Sequence, residues 1–117
     1  MKKTVLSILM AAASAAGFAQ NPIVQTNFTT DPAPMADGDR MYIYTGHDED
    51  NATFFWMNEW RVYSSADMVN WTDHGSPLSL RTFSWADGRA WAAQTIKRDG
   101  KYYWYVCAHS KLSNAMA

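Results

Sequence analysis

Beyond a short apolar run at the N-terminus, polar and apolar residues alternate in brief stretches, and no stretch keeps the three-to-four spacing of an amphipathic helix. The pattern predicts strands and turns. Asn21 to Thr30 reads as an extended lead-in, and Pro32 and Pro34 forbid a helix where a first short strand, Ala33 to Ala36, is expected. Asp37-Gly38-Asp39 supplies a hairpin turn, and Arg40 to Thr45 (RMYIYT), rich in aromatic and β-branched residues, a second strand. A loop from Gly46 to Asn58, acidic and then aromatic, leads to a third strand, Trp60 to Ser64. Ser65-Ala66-Asp67 then turns the chain toward a short outer strand, Trp71 to His74, closed by Gly75. Four antiparallel strands in about 45 residues is the size of one propeller blade.

A second cycle follows. Trp91 to Lys97 is an expected strand, Arg98-Asp99-Gly100 a turn, and Lys101 to Ala108 (KYYWYVCA) another strand. His109 to Asn114 reads as a loop, with Ala115 to Ala117 the first step of a third strand. Asp37-Gly38 and Asp99-Gly100, like His47 and His109, are offset by 62 positions, which suggests an internal repeat. A propeller needs at least about four blades to bury its faces. The expectation is therefore an all-β chain holding the first blade and part of the second of a larger, truncated propeller.

Composition changes this picture in three ways. Lys2 and Lys3 precede an apolar run from Val5 to Ala16, and Gly17-Phe18-Ala19 offers small residues for cleavage, the layout of a secretory signal at residues 1–19. Export would leave a mature domain over residues 20–117, secreted or periplasmic, with no membrane segment after cleavage. The single cysteine, Cys107, excludes an internal disulfide framework and reads as a small buried side chain, and the three histidines are too dispersed for a zinc motif. A formal net charge of −1 argues against a nucleic-acid partner.

Aromatic residues make up 15% of the chain, enough to serve either a core or the stacking of sugar rings. Asp31, immediately before Pro32, is either a turn former or a carboxylate aimed into a pocket. Tyr102 to Tyr105 alternates in the manner of core. Asn27, Asn51 and Asn70 begin glycosylation sequons, relevant only in a glycosylating host.

Three elements in this order, Asp31-Pro32, VYSSADMVNWTDHG at Val62 to Gly75 and WAAQTIKRDGKYYWYV at Trp91 to Val106, resemble glycoside hydrolase family 43. The resemblance spans Asn21 to Ala108. It implies a secreted, five-bladed β-propeller that acts as an inverting hydrolase of arabinofuranosyl or xylosyl linkages in plant polysaccharides. It places the general base at Asp31 and a wall of the sugar site at Trp91. His47 and Asp48, expected just past the second strand, and His109 would be rim residues that bind substrate. Each has a plainer reading: Trp91 as an inter-blade core residue, His47, Asp48 and His109 as solvated turn residues. The family pattern Trp-Ala-Pro is here Trp91-Ala92-Ala93, which loosens the strand start. WMNE at Trp56 to Glu59 resembles an invertase-type motif but lacks its proline.

The family's general acid Glu and modulating Asp match no residue of this chain, nor does the calcium or water site that some members hold in the central channel. No other cofactor is expected. Inverting hydrolysis needs two carboxyl groups, so the chain alone is expected to be inactive. Two alternatives remain: a sugar-binding propeller without catalysis, and a non-functional remnant.

Overall fold

The computed structural model describes residues 22–117, so the segment read as a secretory signal lies outside the described residues. Among the described residues no helix is long and apolar enough to cross a membrane. The chain forms two antiparallel sheets. In the first, β1 (Thr29–Asp37), β2 (Arg40–Asp48), β3 (Met57–Ser65) and β4 (Thr72–Asp73) pair in sequence order, and β5 (Leu78–Ser79) also pairs with β3. A single 3-10 turn, Leu80–Thr82, leads out of it. The second sheet is β6 (Ala86–Arg98), β7 (Lys101–Ser110) and β8 (Ala115–Met116).

The expected strands all form, but most are longer than the alternation suggested. β2 runs on to Asp48 and β7 to Ser110, so His47, Asp48 and His109 lie within strands, not in the loops expected for them. β5 and the 3-10 turn, which give little sequence signal at two or three residues each, were not anticipated.

The repeat offset also fails at the turns. In the first hairpin Asp37 pairs with Arg40, leaving Gly38 and Asp39 as the loop, with Gly38 at φ 60°. In the second, Arg98 pairs with Lys101 and the loop is Asp99-Gly100, both at positive φ as a type I′ turn requires. The two Asp-Gly pairs therefore occupy different turn positions, one residue apart.

The Ser65-to-Asn70 stretch of the family-like motif is a self-contained turn. Ser65 Oγ accepts from the Met68 amide at 2.8 Å, while Asp67 Oδ1 accepts from the Val69 and Asn70 amides at 2.9 and 2.7 Å. The Asn70 side chain donates to Asp67 Oδ2 at 2.7 Å. These hydrogen bonds, the Asn70 side chain's first, hold Asp67 far below the usual carboxylate range. Ser, Asp and Asn at this spacing thus satisfy a tight bend that no strand ladder can serve.

One face of the first sheet packs on one face of the second. Trp60 is fully buried at the centre of this seam among Met57, Leu80, Ala90 and Ala108, with Phe83, Trp91 and Val106 against them. Its indole N–H donates to the Trp91 carbonyl at 2.6 Å, which ties the sheets together. A second cluster, Ala33, Tyr44 and Val62, meets Trp104 edge-on, with the Tyr44 and Trp104 ring centres 5.0 Å apart. Of the expected Tyr102-to-Tyr105 core, only Trp104 packs into the seam; Tyr102, Tyr103 and Tyr105 are 54, 42 and 60% exposed. Alternation identifies two faces but does not say that both are covered. Cys107 is a half-buried free thiol.

Candidate active site

At one end of the seam the regular ladders break. Between Thr30 and Ala33 strand β1 advances three residues while its partner β2 advances two, from Gly46 to Tyr44, so β1 carries a bulge. Within it lies Asp31, at φ +49°. That conformation is doubly unusual, because a following proline normally drives its predecessor to extended backbone. Strand β6 is irregular in the same way: between Gly88 and Trp91 it advances three residues against two on β7, and Arg89 there has φ +59°. Bulges and left-handed non-glycine residues concentrate where a strand must re-aim a side chain.

The two irregular strand starts face each other. Asp31, Trp91, Ala92, Phe55 and Met57 line an open, largely apolar pocket of about 320 Å³. Asp31 is exposed, and among the described residues its carboxylate lacks the backbone hydrogen bond that defines an Asx-turn. Trp91 serves two ends. It packs against the Trp60 cluster, and its indole N–H donates to the Phe55 carbonyl at 3.3 Å, fixing the aromatic loop against the pocket. The Arg89 guanidinium sits 5.3 Å from the Trp91 ring centre. Gly46 permits the close approach beneath: a Cβ there would come within 3.2 Å of Met57 Sδ, 3.3 Å of Thr30 Oγ1 and 3.6 Å of the Ala90 carbonyl.

The other expected site residues do not line this pocket. His47 Nδ1 lies 3.0 Å from Glu59 Oε1, and His47 borders a separate depression with Glu49, Asp50, Trp56 and Asn58. Asp48 is half-buried at the end of β2. His109 Nδ1 lies 2.6 Å from Asp87 Oδ1 on the second sheet. His47 and His109 are thus each held by an acidic residue, Glu59 and Asp87, whose partnership the sequence does not show. Glu59 also meets Arg61 Nη1 at 3.2 Å and accepts from the Ser76 hydroxyl. Burial alone would raise Glu59, but the Ser76 and His47 hydrogen bonds and the Arg61 charge hold it below its ordinary value. Among the described residues no three His, Cys, Asp or Glu side chains converge as a metal ion requires, so none of them is assigned to a calcium site.

Phe55 is the aromatic pocket residue that sequence reading missed, together with its neighbours in the lining, Met57 and Ala92. Its only signal was an aromatic cluster in a polar loop, where an exposed ring has no core to fill.

Comparison with known proteins places the chain. The chain is 35% identical over 92 residues to a xylosidase/arabinosidase from Bacteroides ovatus, covering 71% of this chain and 28% of the relative. It is 30% identical over 100 residues to xylosidase/arabinosidase 43A from Humicola insolens, covering 77% and 31%. Among solved structures, a family 43 β-xylosidase/α-arabinofuranosidase from a compost microbial metagenome, in complex with xylotriose and calcium-free, superposes with a TM-score of 0.74 at 33% identity, over 81% of this chain and 31% of that one. A GH43_1 enzyme from Xanthomonas citri gives 0.73 at 33% identity, over 88% and 31%. The chain therefore spans about 30% of the length of these relatives. The family model for glycosyl hydrolases family 43 matches residues 19–117, and the chain belongs to that family.

Proposed function

We propose that this chain forms the first blade and part of the second of a five-bladed propeller that hydrolyses arabinofuranosyl or xylosyl linkages of plant polysaccharides with inversion, and that residues 1–19 direct its export. The observation that carries this reading is the Asp31 carboxylate, without a hydrogen bond among the described residues and on a left-handed backbone, in one pocket with Trp91 from the other sheet. The names of the relatives supply the sugar class: both curated xylosidase/arabinosidases and the structure solved with xylotriose point to pentosides.

In this reading Asp31 is the general base. Its carboxylate takes a proton from a water molecule as the water oxygen bonds to the anomeric carbon; the glycosidic C–O bond breaks on the opposite face, and the departing oxygen takes a proton from a second carboxyl group. Pro32 removes a backbone donor and fixes its own φ, which stiffens the approach to Asp31. Trp91 and Phe55 give apolar walls suited to the face of a sugar ring. His47, Asp48 and His109 lie outside the pocket lining and have no assigned role in this reading. The pocket holds one carboxylate, Asp31. The chain in isolation is therefore inert in this proposal, and turnover belongs to the full-length protein.

The test is Asp31→Asn in the full-length protein, assayed on an aryl β-xyloside and an aryl α-arabinofuranoside. Loss of turnover by about 10²–10⁴, with binding of xylotriose retained, is the expected result. A sugar-binding protein without catalysis would show no turnover before the change and the same binding after it.

A further inference from the structure

The seam between the sheets has a second opening, at the end away from Asp31. Six residues along β1, roughly 20 Å at strand rise, Asp37 closes the first hairpin beside the second. Met35, Asp37, Tyr42, Tyr44 and Tyr102 line a pocket of about 290 Å³ there. Asp37 Oδ1 lies 2.5 Å from Lys97 Nζ, and Asp37 Oδ2 accepts from the Tyr102 hydroxyl. The Lys97 ammonium also lies 5.2 Å from the centre of the Tyr102 ring.

We propose that this tyrosine-lined pocket is a second carbohydrate-binding site, one that holds a neutral pentose unit of a polysaccharide away from the pocket of Asp31. The choice of a pentose rests on the hydrolase reading above; the existence of the site does not.

A sugar ring presents an apolar face and an edge of hydroxyls, and this pocket matches both. Tyr102 keeps more than half of its surface in water, although a ring meant only for packing would be covered. Tyr42 and Tyr44, both from β2, line the same opening, Tyr44 from the buried side. Asp37 and Lys97 set a carboxylate and an ammonium side by side, with lone pairs on the one and spare N–H donors on the other, the combination that vicinal hydroxyls satisfy. As a simple clasp between the sheets the ion pair would add little, because pairs open to solvent are weak. The one charged group of the lining, the Asp37 carboxylate, is paired with the Lys97 ammonium beside the pocket, which leaves little charge to favour an ionic ligand. Its walls come from β1, β2 and β7.

The test uses the full-length protein carrying Asp31→Asn, so that no substrate is consumed, and measures retention on insoluble arabinoxylan. Tyr102→Ala and Tyr42→Ala are compared with Tyr102→Phe, which keeps the ring. Either alanine change is expected to reduce retention about two- to tenfold, the worth of one aromatic contact, while Tyr102→Phe keeps most of it. With Asp31 restored, the alanine variants should hydrolyse an aryl β-xyloside at the unaltered rate and melt within a few degrees of the parent. Retention unchanged in both alanine variants overturns the proposal. So does a loss of retention matched by an equal loss of aryl-xyloside hydrolysis, which would mark the tyrosines as structural. Failure of the hydrolase reading looks different: no aryl glycoside is cleaved at any stage, yet retention still depends on Tyr102.

Discussion

Strand β1 carries one aspartate at each end of the seam, and the two are held in opposite ways. Asp37 sits on a regular ladder and is engaged by both Lys97 and Tyr102. Those hydrogen bonds, Lys97's first, hold its carboxyl below the ordinary value. Asp31 sits in a bulge on left-handed backbone and is engaged by nothing described. Among the described residues, a carboxylate is satisfied where the backbone is relaxed, and one is left without a partner where the backbone is strained. Strain of this kind costs on the order of 1–3 kcal/mol per residue and persists only if the surroundings impose it. Here the imposing elements are the Gly46 close approach and the Trp60–Trp91 tie across the sheets, which act against the extended preference that Pro32 gives its predecessor.

The sharpest way to break the comparison is to make the same chemical change at both ends. Asp31→Asn is expected to cost the full-length protein about 10²–10⁴ in kcat. Asp37→Asn should leave kcat on an aryl glycoside within about twofold, because it lies roughly 20 Å from the pocket. Equal losses from the two changes would mean that neither aspartate is special, and that both act through the fold.

The next largest effect addresses what holds the strained end together. Trp60→Ala removes a fully buried ring and its hydrogen bond to the Trp91 carbonyl, and should destabilise the fold by about 3–5 kcal/mol. Trp91→Ala should separate function from stability. The ring is only half-buried, so the melting temperature should fall less than for Trp60→Ala, while KM for xylotriose should rise. A melt shift as large as that of Trp60→Ala, with KM unchanged, would return Trp91 to a purely structural role.

How much of this was legible in the sequence follows the same division. The regular end was readable: alternation, Asp-Gly turns and β-branched strands announced β1, β2, β3, β6 and β7. The irregular end was not, because a bulge leaves no periodic trace. Nothing in Gly88-Arg89-Ala90 says that Arg89 will take positive φ. Asp31 and Trp91 were singled out by resemblance to a family motif, and only the fold brings them to one pocket. His47 and His109 were matched by their spacing and placed in loops. They lie in strands held by Glu59 and Asp87, 12 and 22 residues away in sequence, a pairing no local pattern encodes. The exposed tyrosines of β7 were misread for a related reason, since period-two alternation reports which residues share a face and not what lies against it.

The smallest expected effect concerns the polar network on β3, where Glu59 binds His47, Arg61 and Ser76. Its folded-state value lies below the ordinary 4.5, so the folded state favours the carboxylate more than the unfolded state does. The stability this contributes is fully present above about pH 4.5 and is lost as pH falls through the lower folded value. Urea titrations of the parent and of Glu59→Gln across pH 6 to 3 should therefore converge at the acid end: the variant starts less stable and declines more gently. Parallel pH profiles would show that Glu59 is no better held in the fold than in the unfolded chain. The contrast between Glu59, held by its neighbours, and Asp31, without a partner among the described residues, would then lose its energetic basis.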